Sequence, residues 1–237
     1  MYAATAEWRK ILREYFDKIL VDIKGQGTVP QYLEYDEPPV EKAEALRYSG
    51  YPADRAVAVA SGKLEDEAVS AMVDKVFELM KGQLVLKVGY KIVPISFDEE
   101  GFPILPFEQR SEQLKGNLEG CSLAVLFAAT VGSGIDRLIR RYERTEAKTA
   151  LFLQGCGAER AESLTNAFNN DVKNAAELAG YKAHPRFSPG FGDLPLTVQT
   201  EFLALLDAGR RMGITLNESL LMSPSKSVTA IIGLEKL

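Results

Sequence analysis

Histidine occurs once in the 237 residues, at His184, and cysteine twice, at Cys121 and Cys156. One imidazole rules out sites built from several histidines, and neither cysteine has the paired spacing of a zinc motif. Two thiols do not make a disulfide framework, so a core must be held by burial, and a reducing cytoplasm is the expected compartment. No basic-plus-apolar signal opens the chain, and no apolar run approaches the ~20 residues needed to span a bilayer. Membrane insertion is therefore not expected. Positive charge is not in excess either: 28 Lys and Arg face 33 Asp and Glu, a net charge of −5. That balance argues against non-specific nucleic-acid binding, which needs a basic field over the phosphate backbone. Internal repeats and low-complexity tracts are also missing.

What is present is ordinary globular material. Residues from about Thr5 to Ile23 carry Trp8, Ile11, Leu12, Tyr15, Ile19 and Leu20 at helical spacing, with Gly25 and Gly27 as stops. The stretch Gln26 to Val40, with Pro30, Pro38 and Pro39, forms elements poorly. Short helix is predicted over Glu41 to Tyr48 and a stronger one over Glu65 to Lys81, whose acidic start suits the helix dipole. Leu84 to Ser96 alternates as a strand, and Ile104 to Phe107 can return beside it. Ser111 to Leu118 reads as helix, Ser122 to Thr130 as a buried strand, and Ile135 to Arg144 as helix. A second apolar run, Ala150 to Leu153, is expected to turn at Gly155 and Gly157 into a further helix ending at Gly180. One helix is expected from Thr197 to Met212, then short strands around Ser223-Pro224-Ser225-Lys226. Hairpin signals dominate the pairing pattern, which favours α+β, a mainly antiparallel sheet flanked by helices, over a doubly wound parallel sheet.

The loop Arg186-Phe187-Ser188-Pro189-Gly190-Phe191-Gly192 carries the most chemistry. Pro189-Gly190 is a strong turn pair. Such a loop exposes backbone donors and acceptors. Arg186 can grip a carboxylate with two hydrogen bonds, and the π face of Phe191 attracts a cation such as a sulfonium. Together these suit S-adenosylmethionine, although the residues alone favour a plain surface turn.

The loop resembles the Arg-x-x-Pro-Gly-Tyr motif of the reactivation domain of cobalamin-dependent methionine synthase. Two later segments are similar to that family in the same order. They are Gly213-Ile214-Thr215-Leu216-Asn217-Glu218-Ser219 and Met222-Ser223-Pro224-Ser225-Lys226-Ser227-Val228. The resemblance reaches back to about Ala45. It implies a division into an N-terminal helical and irregular extension, 1–44, and a reactivation-like α+β domain, 45–237. It implies a ligand, S-adenosylmethionine, held by Arg186, Ser188, Pro189, Gly190, Phe191 and Glu162, with no catalytic residue and no metal. Glu162 stands at the family's ligand-side glutamate, Asn166 replaces a second acid, and Phe191 replaces the tyrosine. The family's two adjacent ligand-side tyrosines have no counterpart up to Leu237. In the family the domain presents S-adenosylmethionine to oxidised cobalamin after one-electron reduction. The Asp-x-His-x-x-Gly cobalamin signature is absent here, so the resemblance implies a free-standing accessory. Cobalamin would be carried by a partner methionine synthase that lacks its own reactivation domain, and flavodoxin or another one-electron donor would supply the electron. The alternative is a non-catalytic module that binds a corrinoid protein or another small ligand without S-adenosylmethionine.

Four other features compete for a role. Thr130-Val131-Gly132-Ser133-Gly134 follows a strand and precedes a helix, but the third glycine of a dinucleotide loop is replaced by Arg137. A tight turn is the better reading. Cys156, between two glycines, is expected to be a buried, idle thiol rather than an activated one. His184, just before Pro185, is expected to be structural. The run from Arg137 to Arg144 suits an acidic partner such as a flavodoxin, or is simply a solvated helix face.

Overall fold

The computed structural model describes residues 6–27 and 29–237. Their order is α1 (Ala6–Gly25), β1 (Gln31–Glu34), α2 (Lys42–Tyr48), α3 (Ala53–Ala60), α4 (Glu67–Met80), β2 (Lys87–Pro94), β3 (Ser96–Phe97), β4 (Pro103–Ile104) and α5 (Glu112–Asn117). There follow β5 (Cys121–Thr130), α6 (Gly134–Glu143), α7 (Ala147–Leu178), β6 (Tyr181–Ala183), α8 (Val198–Leu205), α9 (Ala208–Met212), β7 (Thr215–Leu216), β8 (Met222–Ser223) and β9 (Ser227–Lys236). The fold is α+β. Five strands pair in the order β1-β2-β5-β9-β6, every neighbour antiparallel, and helices cover the sheet.

Strand periodicity explains why β5 reads as an unbroken apolar run. Leu123, Val125, Phe127 and Ala129 face one core, with α1, α2, α4, α6 and α7. Ala124, Leu126 and Ala128 face a second core, with α5, α8 and α9. Both faces of the strand are buried, so no polar residue can alternate. β2 is treated differently on its two sides: Val88, Tyr90 and Ile92 enter the first core, whereas Gly89 leaves room for the Met212 thioether.

Three expectations are corrected. Ala150 to Leu153 is not an apolar run turning at a glycine pair; it lies inside α7, one 32-residue helix that runs through Gly155, Cys156 and Gly157. The glycines are there for contact. A Cβ on Gly155 would lie 2.0 Å from Ser49 Oγ and 2.8 Å from the Ala45 carbonyl oxygen of α2, and one on Gly157 would lie 2.8 Å from the Ile135 side chain of α6. Tertiary packing thus overrides the modest local cost of glycine in a helix. The helix expected over Thr197 to Met212 is two, α8 and α9. The chain turns at Asp207, φ 46°, where the Tyr32 hydroxyl donates to the Leu206 carbonyl at 2.7 Å. The return strand at Ile104 to Phe107 shrinks to β4, paired only with β3.

The segment set apart as 1–44 contributes to the sheet and to the core. β1 is an edge strand of the main sheet, and Ile19, Ile23, Leu33 and Tyr35 are buried in the first core. Of the residues expected to make its helical face, Trp8, Ile11 and Leu12 have side chains outside the described set. Arg160, 1% exposed, fastens the proline-rich stretch. Its guanidinium donates to the carbonyls of Pro38 at 2.6 Å and Pro39 at 2.9 Å, while Glu159 beside it accepts from the Glu41 amide at 2.9 Å. A buried charge pair of this kind is tolerable because each hydrogen-bonding position has a partner.

Candidate functional site

The loop at 186–192 leaves β6 and crosses the second face of the sheet. Its root is stitched to β9: the Phe187 amide donates to the Ile231 carbonyl and the Ile231 amide to the Phe187 carbonyl, both at 2.8 Å. Phe187 is consequently buried. Ser188 to Phe191 then form a tight turn, with the Phe191 amide donating to the Ser188 carbonyl at 3.0 Å and Gly190 at φ 83°. Positive φ after a proline is what glycine supplies at this position. Gly190 N–H donates to the Leu194 carbonyl at 2.9 Å. The turn therefore claims part of the backbone expected to be open to a ligand. Pro189 is buried, Gly190 is exposed, and Phe191 stands out with 64% of its surface free, its ring edge-on to Phe187 at 5.5 Å.

The far end of the loop is tied to α5. Asp193 accepts from the Ser111 hydroxyl and from the Glu112 amide at 2.8 Å, which caps the helix. These hydrogen bonds hold its carboxyl below the usual range. Nothing in the local sequence signals this contact, since the partners lie 82 residues apart.

Arg186 and Glu162, both implied as ligand residues by the resemblance, meet. The Arg186 guanidinium donates through one nitrogen to Glu162 and through the other to Asn166 Oδ1 at 2.7 Å. Glu162 and Asn166 are four apart on α7, hence on one face, and the planar fork spans both. All three are within reach of solvent: the Arg186 and Glu162 side chains are 27% and 30% exposed. The site thus joins a cation, a carboxylate and an amide at the root of the loop, while the exposed ring of Phe191 further along packs against Phe187 of the second core. A cleft of about 400 Å³ lies elsewhere, between α5 and the β3–β4 hairpin, where Phe97, Glu112, Lys115 and Glu119 line it; none of the six expected ligand residues does.

The competing features resolve as follows. Gly134 is required where α6 begins, because a Cβ there would lie 2.1 Å from the Gln83 carbonyl oxygen, and β5 has only antiparallel neighbours. The turn is a packing device rather than the parallel βαβ unit a dinucleotide loop needs. Cys156 is fully buried within α7 and its thiol is pushed up to about 12 by burial, so it is not an activated nucleophile. His184 sits 2.7 Å from the Asn117 carbonyl through Nδ1 and 3.0 Å from Glu235 through Nε2, joining α5 to β9. Among the described residues no group of His, Cys, Asp and Glu could hold a metal ion, and no helix is long and apolar enough to cross a membrane.

No protein-family profile matches the chain, and no curated protein sequence matches it. Among solved structures, the MetH reactivation domain bound to AdoHcy is similar. The likeness covers 87% of this chain and 78% of that one at a TM-score of 0.56, with 17% sequence identity. At that identity the similarity is one of fold.

Proposed function

Starting from a fold shared with the methionine synthase reactivation domain, we propose that the chain is a free-standing reactivation module. It binds S-adenosylmethionine at the 186–192 loop and supports reductive methylation of cob(II)alamin on a partner methionine synthase. The observation that carries this reading is the part-exposed Arg186–Glu162 pair at the root of the loop. An amino-acid zwitterion fits such a pair: its carboxylate exchanges for Glu162 on the Arg186 fork, and its ammonium takes the Glu162 carboxylate. The exposed ring of Phe191, in the same loop, offers a π face to a sulfonium or an adenine. Cobalamin on the partner would supply the metal that accepts the methyl group, and flavodoxin or another one-electron donor the electron. This chain's residues would bind and orient the sulfonium.

The test is calorimetric titration of the protein with S-adenosylhomocysteine and S-adenosylmethionine, with a thermal-shift series in parallel. Ligand at about 100 times Kd stabilises by about 2.7 kcal/mol. Absence of heat and of stabilisation at millimolar ligand, with and without a corrinoid protein, refutes the proposal.

A second reading is that the fold binds a corrinoid protein or another small ligand without S-adenosylmethionine. It is favoured by the closure of Arg186 on Glu162 and Asn166 and by the phenylalanine at 191, which has no hydroxyl to offer. Binding to a corrinoid protein with no response to either sulfur ligand would select it.

A further inference from the structure

We propose that the outer face of α6 is a docking surface for a carboxylate-rich segment of a partner protein. Arg137, Arg140, Arg141 and Arg144 fall at i, i+3, i+4 and i+7, so their side chains share one face of the helix, and all four are exposed. The opposite face is packed: Ile135 and Ile139 are buried against the first core. The stripe is thus held on a fixed platform.

Among the described residues no carboxylate of the fold neutralises the stripe, although the Arg141 guanidinium lies 5.8 Å from the centre of the Tyr142 ring. Elsewhere, basic side chains are commonly neutralised within the protein: Lys42 by Asp74, Lys75 by Glu146, Arg110 by Asp98 and Glu100. Among the described residues, none of the four stripe arginines forms an ion pair, and Arg137 donates only to the neutral Ser133 hydroxyl, at 2.6 Å. Two acidic residues adjoin the stripe: Asp136 is engaged by the Ser225 amide and hydroxyl, and exposed Glu143, beside Arg144, forms no ion pair with any of the four. The helix dipole favours Arg140 and Arg141 in the last turn but disfavours Arg137 in the first, and like charges three and four apart repel one another. Four like charges on one helix face, with no ion pair among the described residues to offset them, are expected where something outside supplies the carboxylates.

Charge complementarity names the occupant. The chain as a whole carries −5, whereas the stripe puts four positive charges on one helix face. A nucleic acid, an extended polyanion, is disfavoured by the net negative charge of the chain, whereas a short acidic segment can seat on the stripe alone. Arginine forks pair with carboxylates in bidentate geometry, which gives orientation as well as charge. The inference is independent of what the 186–192 loop binds.

The experiment is fluorescence anisotropy with labelled decaglutamate, and with a single-stranded DNA decamer as the second probe. Wild-type protein, R140E/R144E, and K63E/K173E are compared; the last makes the same charge change at exposed lysines away from α6. The peptide is expected to bind with an affinity that falls as salt rises from about 20 to about 150 mM. R140E/R144E should weaken it about ten-fold and K63E/K173E should leave it within about two-fold, with both variants folded by circular dichroism at the assay temperature. Absent peptide binding, equal losses in the two variants, or tighter binding of the DNA would each overturn the proposal.

Discussion

Replacing Asp171 with asparagine should remove a pH dependence built into the helical side of the sheet. Asp171 lies on α7, only 8% exposed, and its carboxylate accepts from the Tyr35 hydroxyl at 2.8 Å. Burial pushes its pKa from 3.8 up to about 6, against the opposing pull of the Tyr35 hydrogen bond. The sign follows from proton counting. Between those two values the folded protein binds a proton that the unfolded chain has released, so stability is full below about pH 4 and is lost as pH rises through about 6. A shift of roughly two pH units corresponds to a ceiling of about 3 kcal/mol, and access of water to the carboxylate brings the expectation to about 2 kcal/mol. Asparagine cannot ionise, yet its carbonyl can still accept from Tyr35. Urea unfolding followed by circular dichroism at pH 4.5 and pH 8 gives four free energies for wild type and D171N. Titrations common to both proteins cancel in the double difference, which should favour D171N by about 2 kcal/mol on going to pH 8. Wild type and variant changing in parallel with pH, within about 0.5 kcal/mol, would show that the carboxylate is hydrated and the reasoning wrong.

Gly155→Ala should cost about 1–3 kcal/mol in a thermal or urea melt, because its Cβ would run into Ser49 Oγ and the Ala45 carbonyl; an unchanged melting temperature would mean that α2 and α7 are not held in close contact. Arg160→Met leaves Glu159 buried without its cation and should cost about 3–5 kcal/mol, whereas the double change with Glu159→Gln should be milder. Equal losses would contradict the pairing. If S-adenosylhomocysteine binds, Arg186→Ala should weaken it about ten-fold or more in calorimetry while Cys156→Ala leaves Kd nearly unchanged, since charge-assisted bonds contribute about 1.5–3 kcal/mol. A reversed order would move the site away from the loop.

Much of the architecture is legible where local preference and tertiary demand agree. α4 shows its buried stripe at Val69, Val73 and Val76, and β5 shows its double burial as a continuous apolar run. The turn at Pro189-Gly190 is legible for the same reason, because the backbone it needs is what that pair supplies. Disagreement begins where distant residues decide. Gly155 and Gly157 look like punctuation and are contact surfaces; Leu206 looks like mid-helix until the hydroxyl of Tyr32 takes its carbonyl. Glu162 on its own is one more acid on a helix. Only the family likeness singles it out, and its meeting with Arg186 depends on how β6 turns the chain back along α7. The fastening of Asp193 to α5 and of Arg160 to Pro38 has no counterpart in periodicity or spacing.

An unbroken α7 also acts as a ruler. At about 1.5 Å per residue its 32 residues extend about 48 Å, and the contact of Gly157 with α6 is separated from Glu162 by about 7.5 Å along the axis. A hinge at the glycine pair would have let the two halves of the helix tilt independently. A rod does not: α6, seated near one mark, and Arg186, seated near the next, keep a constant separation. Two bodies that engaged the arginine stripe and the loop together would be held at a spacing set by the rod rather than by their own flexibility.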